Sequence, residues 1–258
     1  LDRYADATTH DEAIGVIRPE ELETVHPYLP PGVIEEFEFP NLDMEVVATR
    51  VYEAHASFQE ATFLFSGQAT LGDDGSLQNY VAGSPFSPAQ IEEVSRDKAG
   101  LMIGWNQVHR WQYRGYSSKE LQMSYVQSLA EGVSGNLIDG FRGGGHIDRY
   151  VGTSYYRVYL SHLADLSESD YRVDTDDSRR LYWKDFMEFL EPFDVKGLKF
   201  VVERGVDPHE EDQVNSYLPT ERRVRRLSAK ERADGFMGSN YSLDDFEGFS
   251  GRVLDFNW

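Results

Sequence analysis

From Leu121 onward four stretches alternate apolar and polar side chains with a period of two, and no long helical repeat separates them. Leu121, Met123, Tyr125, Gln127 and Leu129 alternate with Gln122, Ser124 and Ser128, with Val126 the apolar exception on the polar side. Tyr156, Val158 and Leu160 alternate next, then Leu181, Trp183, Met187 and Phe189 with Asp185 interrupting, then Leu198, Phe200 and Val202. Val214 to Leu218 and Arg222 to Leu227 read as a last hairpin around Pro219-Thr220. Residues two apart on a strand share a face, so each stretch predicts a half-buried strand. Parallel neighbours would need crossover helices between them, which this order lacks. The expected fold is mainly β with some α: a curved antiparallel meander, half-barrel in kind.

The first half adds one strand and one helical insertion. In Ala61–Leu71 the alternation predicts a half-buried strand, Gly72-Asp73-Asp74-Gly75-Ser76 a tight connection, and Leu77–Val81 the returning arm of a hairpin. Ser87 is then a good N-cap, Pro88 suits the first helical position and Gln90 completes a capping box. Ile91, Val94, Leu101, Trp105, Val108 and Gln112 continue at helical spacing, with Gly100 a possible break and Gly115 the stop, giving an insertion near 87–114. Residues 1–43 read as an extended N-terminal arm, with a helical turn at Glu20–Glu23 and stops at Pro27, Pro30, Pro31 and Pro40. The β domain is expected over 44–258. Phe256-Asn257-Trp258 reads like the middle of a strand, so that domain is expected to be incomplete at its end.

Charge narrows the partners. The 258 residues hold 45 acidic and 25 basic side chains, net −20. A surface this negative repels phosphate backbones and anionic lipid headgroups, so nucleic acid is not an expected partner. No apolar run reaches the roughly 18 residues of a membrane span, so the chain is not expected to cross a membrane. There is no cysteine, hence no disulfide or thiolate chemistry. The first residue is Leu rather than Met, and removal of an upstream segment is expected.

Chemistry-bearing motifs are weak. Gly143-Gly144-Gly145 with His146 and Asp148 resembles a phosphate cradle only until the following residues are read as strand, so a loop tip is expected. His146 and Asp148 are too few to hold a metal. His109, between Trp105 and Trp111, reads as a satisfied structural histidine, and His209 with Glu210, Glu211 and Asp212 as a solvated turn. Ser134 in Gly132-Val133-Ser134-Gly135 lacks the spacing of a nucleophile elbow. Asp170 to Asp177 lacks the glycine and terminal glutamate of a calcium loop. No catalytic residue, metal site or cofactor is expected, and the chain does not read as an enzyme. Arg222, Arg223, Arg225 and Arg226 form the one basic cluster, suited either to an anionic partner or to guarding a sheet edge.

What remains is an aromatic surplus, which fills a core or lines a pocket. The candidate lining is Phe63, Phe65, Leu101, Trp105, Met123, Tyr125, Tyr156, Trp183, Met187, Phe189 and Phe200, with the helix of Trp105 and Trp111 as lid.

Several segments, taken in order, resemble a bacterial family, domain of unknown function 1329. Trp105-Asn106 to Trp111, then Arg114-Gly115, is similar to its "WN…R-Y-R-G" helix, and Gly83-Ser84-Pro85-Phe86 to the "G-x-P-F" step before it. Glu191-Pro192 to Gly197 resembles its "P…G" turn. Tyr217-Leu218-Pro219 through Arg222-Arg223-Val224-Arg225-Arg226 resembles its "Y-x-P…R-R-V-R-R" hairpin, and Asp244-Asp245 with Phe249 and Gly251 its "D-D…F-x-G" segment. The resemblance implies a fold of the LolA, LolB and LppX kind, a half-barrel plugged by helices over a hydrophobic cavity. It implies signal peptides, a periplasmic place associated with the outer membrane, and a non-catalytic carrier or chaperone of lipids or other hydrophobic molecules. It also implies company with an outer-membrane β-barrel and an RND-type exporter, so the alternative expectation is an assembly subunit that holds no ligand. The family continues with further strands past the segment at which this sequence stops.

Overall fold

The computed structural model describes residues 13–29, 34, 42–47, 53–128, 145–229, 234–239 and 241–258, with backbone alone for 13–14, 126–128 and 145–146. Pro30, Pro31, Pro40, Leu129, Ser134, Gly143 and Gly144 lie outside the described residues. The chain divides into two compact units, residues 1–53 with 124–150 and residues 54–123 with 151–258.

In the first unit, β1 (Ala13–Ile17) pairs antiparallel with β2 (Met44–Val47). Pro19–Thr24 forms the expected turn as a 3₁₀ helix, started by proline and packed through buried Leu22. Tyr125 carries the Arg149 guanidinium over its ring, 4.5 Å from the centroid.

In the second unit, residues 56–64 are helix α1 (Ala56–Leu64), not strand. Its inward side is Phe58, Ala61 and Phe65, which pack with Ala82 and Ala164. That i, i+3, i+7 spacing is helical, and the odd-numbered alternation from Ala61 hides it by starting midway along the helix. Phe63, taken for a buried strand position, is 86% exposed. Strands β3 (Thr70–Leu71) and β4 (Leu77–Gln78) make a short hairpin around the predicted tight connection.

Two helices follow: α2 (Pro88–Glu92) and α3 (Arg96–Val108). The capping box is present, with Gln90 Oε1 accepting from the Ser87 amide at 3.0 Å and Ser87 Oγ accepting from the Gln90 amide at 3.3 Å. The break falls at residues 93–95 rather than at Gly100, and α3 ends at Val108, short of Gly115. Gly100 and Gly104 lie inside the helix, and Trp258 packs where their side chains would be; a Cβ on Gly104 would stand 2.9 Å from its ring. Asn106 fixes the helix to the preceding segment through both amide atoms, accepting from Phe86 N at 2.9 Å and donating to Phe86 O at 2.8 Å.

The remaining strands are β5 (Gly115–Ser128), β6 (Gly145–Tyr159), β7 (Leu181–Glu191), β8 (Lys199–Gly205), β9 (Gln213–Leu218) and β10 (Arg223–Leu227). They form one open antiparallel sheet in the order β10-β9-β8-β7-β6-β5, the predicted meander. Bulges at Gly152/Thr153 and Leu181/Trp183 add local bend and twist. Gly145 and His146 belong to β6 rather than to a loop tip. Ser124 onward in β5, and β6 up to Tyr150, belong to the first unit.

Register defines the packed face of the sheet within the second unit. Thr153, Tyr155, Arg157 and Tyr159 stand opposite Phe189, Met187, Asp185 and Trp183, and Phe200, Val202 and Arg204 continue the face on β8. The buried side of β6 is therefore opposite to the one its alternation predicts: Tyr156 and Val158 are exposed. The cause is Arg157, a buried cation on the inner face. Its Nε and Nη2 bind the two Asp185 oxygens at 2.6 Å each, and Tyr155 Oη donates to the same carboxylate at 2.6 Å. Asp185 interrupts the apolar pattern because it neutralises this arginine. The outer face carries exchanged charges such as Lys184–Glu203 and Lys199–Glu188.

The C-terminal segment covers the inner face with short 3₁₀ turns. Phe236 packs on Phe189 and Phe200, Phe246 meets the Tyr155 ring at 5.0 Å, and Glu247 binds Arg157 Nη1 at 2.7 Å. Phe256 to Trp258 is not a strand.

Candidate functional site

A cavity of about 190 Å³ opens in the second unit where α3 meets the bulged end of β7. Its apolar wall comes from Leu77, Tyr80, Trp105, Val108, Tyr182 and Val253. Facing it are Arg204 and Asp212, with Asp207, Glu210 and Arg252 along the loop 206–212 and the C-terminal segment.

Local structure places each wall residue. Trp105 lies on the buried side of α3 and donates Nε1–H to the Gly75 carbonyl at 2.9 Å, tying the helix to the β3–β4 turn. Tyr182 is the extra residue of the β7 bulge: Leu181 pairs with Gly205 and Trp183 with Arg204. A bulge re-aims a side chain, and here it turns Tyr182 toward α3, where its hydroxyl donates to the Val108 carbonyl at 3.1 Å. Tyr80 donates to the Gly83 carbonyl at 2.8 Å. His162, held in the left-handed region at φ 60°, donates Nδ1–H to the Val81 carbonyl at 2.8 Å.

Tyr80, His109, His162 and Tyr182 pack ring against ring, with centroids 4.3 Å apart for Tyr80 and His109 and 5.1 Å for His109 and Tyr182. His109 is not the satisfied structural histidine expected: its buried Nδ1 has no hydrogen-bond partner. Burial, and then His162, hold its imidazole well below the usual histidine range. Burial also lowers His162, against the pull of its carbonyl partner. Both rings are thus neutral near pH 7, and burial raises the Tyr80 and Tyr182 phenols so that they keep their protons. The aromatic wall carries no charge.

The opposite wall is polar but largely internally paired. Arg204 binds Asp212 bidentately at 3.0 and 2.9 Å and donates to the Gly251 and Ser250 carbonyls at 3.1 and 2.8 Å. Its guanidinium also lies 4.8 Å from the Trp183 ring, which has Arg157 at 4.3 Å. Arg252 donates to the Pro208 carbonyl at 3.0 Å.

Of the predicted lining, Trp105 is on this cavity wall and the others are not. Leu101 packs in the helix core against Gly75, and Phe65 meets Tyr171 edge-on at 5.3 Å. Trp183 is held between arginines, and Phe189 and Phe200 are capped by Phe236. Met187 is half-buried on the inner face beside them. Met123 is half-buried in β5, and Tyr125 belongs to the first unit. Phe63 and Tyr156 are exposed. Trp111 lies beyond the end of α3, stacked on His55 at 5.2 Å, so it is no part of a lid over this cavity. Tyr80, His162, Tyr182 and Val253 were missed. A doublet of aromatics, Tyr182-Trp183, inside an alternating strand is the signal that a bulge could have been placed there.

Arg225 pairs with Glu221, and β10 forms an edge of the sheet with every residue exposed. His209 sits in an exposed turn, its Nε2 3.2 Å from Asp74. Among the described residues no three His, Cys, Asp or Glu side chains come together to hold a metal, and no helix is long and apolar enough to cross a membrane.

A family model described as protein of unknown function (DUF1329) matches residues 16–258. No curated protein matches the chain. Two solved structures are similar to parts of it. A DUF1329 family protein from Desulfovibrio piger matches at 21% identity and a TM-score of 0.38, over 64% of this chain and 54% of that one. A domain from Vibrio parahaemolyticus named for outer membrane lipoprotein sorting matches at 19% identity and a TM-score of 0.30, over 42% of this chain and 37% of that one. The chain therefore spans about half the length of the first of these.

Proposed function

Taking as premise that the chain belongs to the DUF1329 family, we propose that it is a non-catalytic binding protein of the bacterial envelope that holds a hydrophobic molecule. The observation that carries this reading is the uncharged aromatic wall of the cavity between α3 and the β7 bulge. Its polar atoms are mostly committed to the protein's own carbonyls, so an entering group meets ring faces and methyl groups. Removing apolar surface from water there is favourable by about 25 cal/mol per Å².

Size limits what fits. Sites that enclose a whole small molecule are usually about 300–1,000 Å³, above the roughly 190 Å³ here. The cavity suits one ring system or one chain segment of a larger molecule whose remainder lies outside. With Asp207 and Glu210 against Arg252 the rim is net acidic, which favours neutral over anionic ligands. The periplasmic setting implied by the family resemblance belongs to the same proposal, and cell fractionation tests it.

The cavity is tested by titration with N-phenylnaphthylamine, a neutral probe that brightens in apolar surroundings and carries a naphthyl and a phenyl ring system, one of which the cavity would take. Binding is expected to the wild-type protein and to be lost in Val206→Trp, which fills the cavity from its loop side. Equal brightening by a folded Val206→Trp protein would move the ligand elsewhere.

A further inference from the structure

The β7–β8 and β9–β10 turns leave the sheet side by side. Lys199 pairs with Tyr217 and Leu218 with Arg223, so both turns project from the same end. They touch: a Cβ on Gly197 would meet Pro219 Cγ at 3.2 Å. Phe193 stands at the tip of the first turn and is 94% exposed. A phenyl ring this free makes no contribution to the fold. Beside it the second turn presents Arg222 and Arg223, and β10 continues with Arg225 and Arg226, all exposed.

Charge at this end runs against the rest of the chain. Lys196, Arg222, Arg223, Arg225 and Arg226 face Glu191, Asp194 and Glu221, while the whole chain is net −20. Glu221 is occupied by Arg225, and the nearby Lys199 by Glu188. Arg222, Arg223 and Arg226 have no ion-pair partner among the described residues. Guarding a sheet edge against aggregation calls for charge and leaves a bare phenyl ring beside it unexplained.

We infer that these two turns form a docking tip for an anionic lipid surface, with Phe193 entering the acyl boundary and Arg222 and Arg223 held to headgroup phosphates. Interfacial binding of this kind combines an apolar group at the headgroup level with basic side chains attracted to anionic lipid, and arginine matches a phosphate bidentately. Neither turn contributes a residue to the cavity, so the docking tip stands whether or not the cavity holds a ligand. Phe63 supplies an internal control. It is 86% exposed on α1, and residues 53–64 contain no lysine or arginine.

The test is flotation of the whole chain with vesicles of phosphatidylcholine alone or mixed with phosphatidylglycerol, at low and raised salt. The wild-type protein is expected to float with the mixed vesicles, less so at raised salt, and not with phosphatidylcholine alone. Reversing both Arg222→Glu and Arg223→Glu is expected to weaken binding at least ~10-fold. Phe193→Ala is expected to weaken it by roughly 10-fold. Phe63→Ala is expected to change nothing. Circular dichroism and N-phenylnaphthylamine binding, read on the same variants, separate loss of docking from loss of fold or cavity. No flotation with either vesicle, flotation untouched by the tip variants, or loss caused by Phe63→Ala would each overturn the assignment. An acidic polypeptide retained through Arg222 and Arg223 by a protein that ignores vesicles would give the surface to a protein partner instead.

Discussion

At the scale of single residues the second unit is organised by a buried charge. Arg157 sits at the centre of the packed face, with Asp185 across the strand pair, Tyr155 on the same carboxylate and Glu247 on its remaining nitrogen. Burial opposes its charge, yet Asp185 keeps the guanidinium protonated beyond the ordinary arginine range. Removing Asp185 leaves the buried guanidinium only Glu247, so Asp185→Ala is expected to cost about 3 kcal/mol in urea unfolding, whereas the joint change Arg157→Met with Asp185→Leu recovers most of the loss. A double variant as unstable as the single one would assign the cost to packing. The histidines make a second residue-level prediction. His109 and His162 are neutral in the folded protein, and an unfolded histidine takes up its proton near 6.5. Below that pH the unfolded state binds more protons, so stability falls as the pH drops, by up to about 1.4 kcal/mol per pH unit for each histidine. Burial raises the Glu247 carboxyl, and it acts with the opposite sign at pH values just above the ordinary carboxylate range. Comparison with His109→Phe isolates the histidine share: the variant should show a shallower loss between about pH 6.5 and about pH 5.5.

At the scale of elements, the capping box at Ser87, the strands β7 and β8 and the β9–β10 hairpin were legible because local chemistry and tertiary burial agree there. Helix α1 was not. Its inward side chains begin at Phe58, before the segment where alternation is visible, and Thr and Phe mimic strand composition. The inner face of β6 was hidden because a buried arginine looks like an outward residue until its carboxylate across the strand is known. The bulge at Tyr182 was equally hidden, since one inserted residue reverses the side on which an aromatic falls. Most of the cavity wall depends on such features, which is why Trp105 was found from its helical spacing and Tyr182 and His162 were not. The packing of Trp258 on α3 supports a further prediction. Gly104→Val would drive its added atoms into the indole, since a Cβ there already stands 2.9 Å from the ring, inside van der Waals contact. We expect about 1–3 kcal/mol of destabilisation and a red-shifted tryptophan emission, while Ile103→Ala, on the exposed side of the same helix, should leave the emission unchanged.

At the scale of the whole molecule, the second unit is an open antiparallel sheet whose inner face is closed by its own C-terminal segment rather than by a long helix. Most of that face is filled by side chains: Phe189, Phe200 and Phe236 fill one end, and the Arg157 cluster fills the middle. Space remains at the other end, beside the bulge, and it is limited to about 190 Å³. A carrier with this cavity is expected to grip one segment of its cargo. The most direct measurement is native mass spectrometry of the protein purified gently from its own cells, followed by solvent extraction. The protein is expected to carry a neutral hydrophobic molecule of defined mass, absent from the Val206→Trp variant; a protein that arrives empty, or a cargo retained in full by that variant, would rule out the cavity as the binding site.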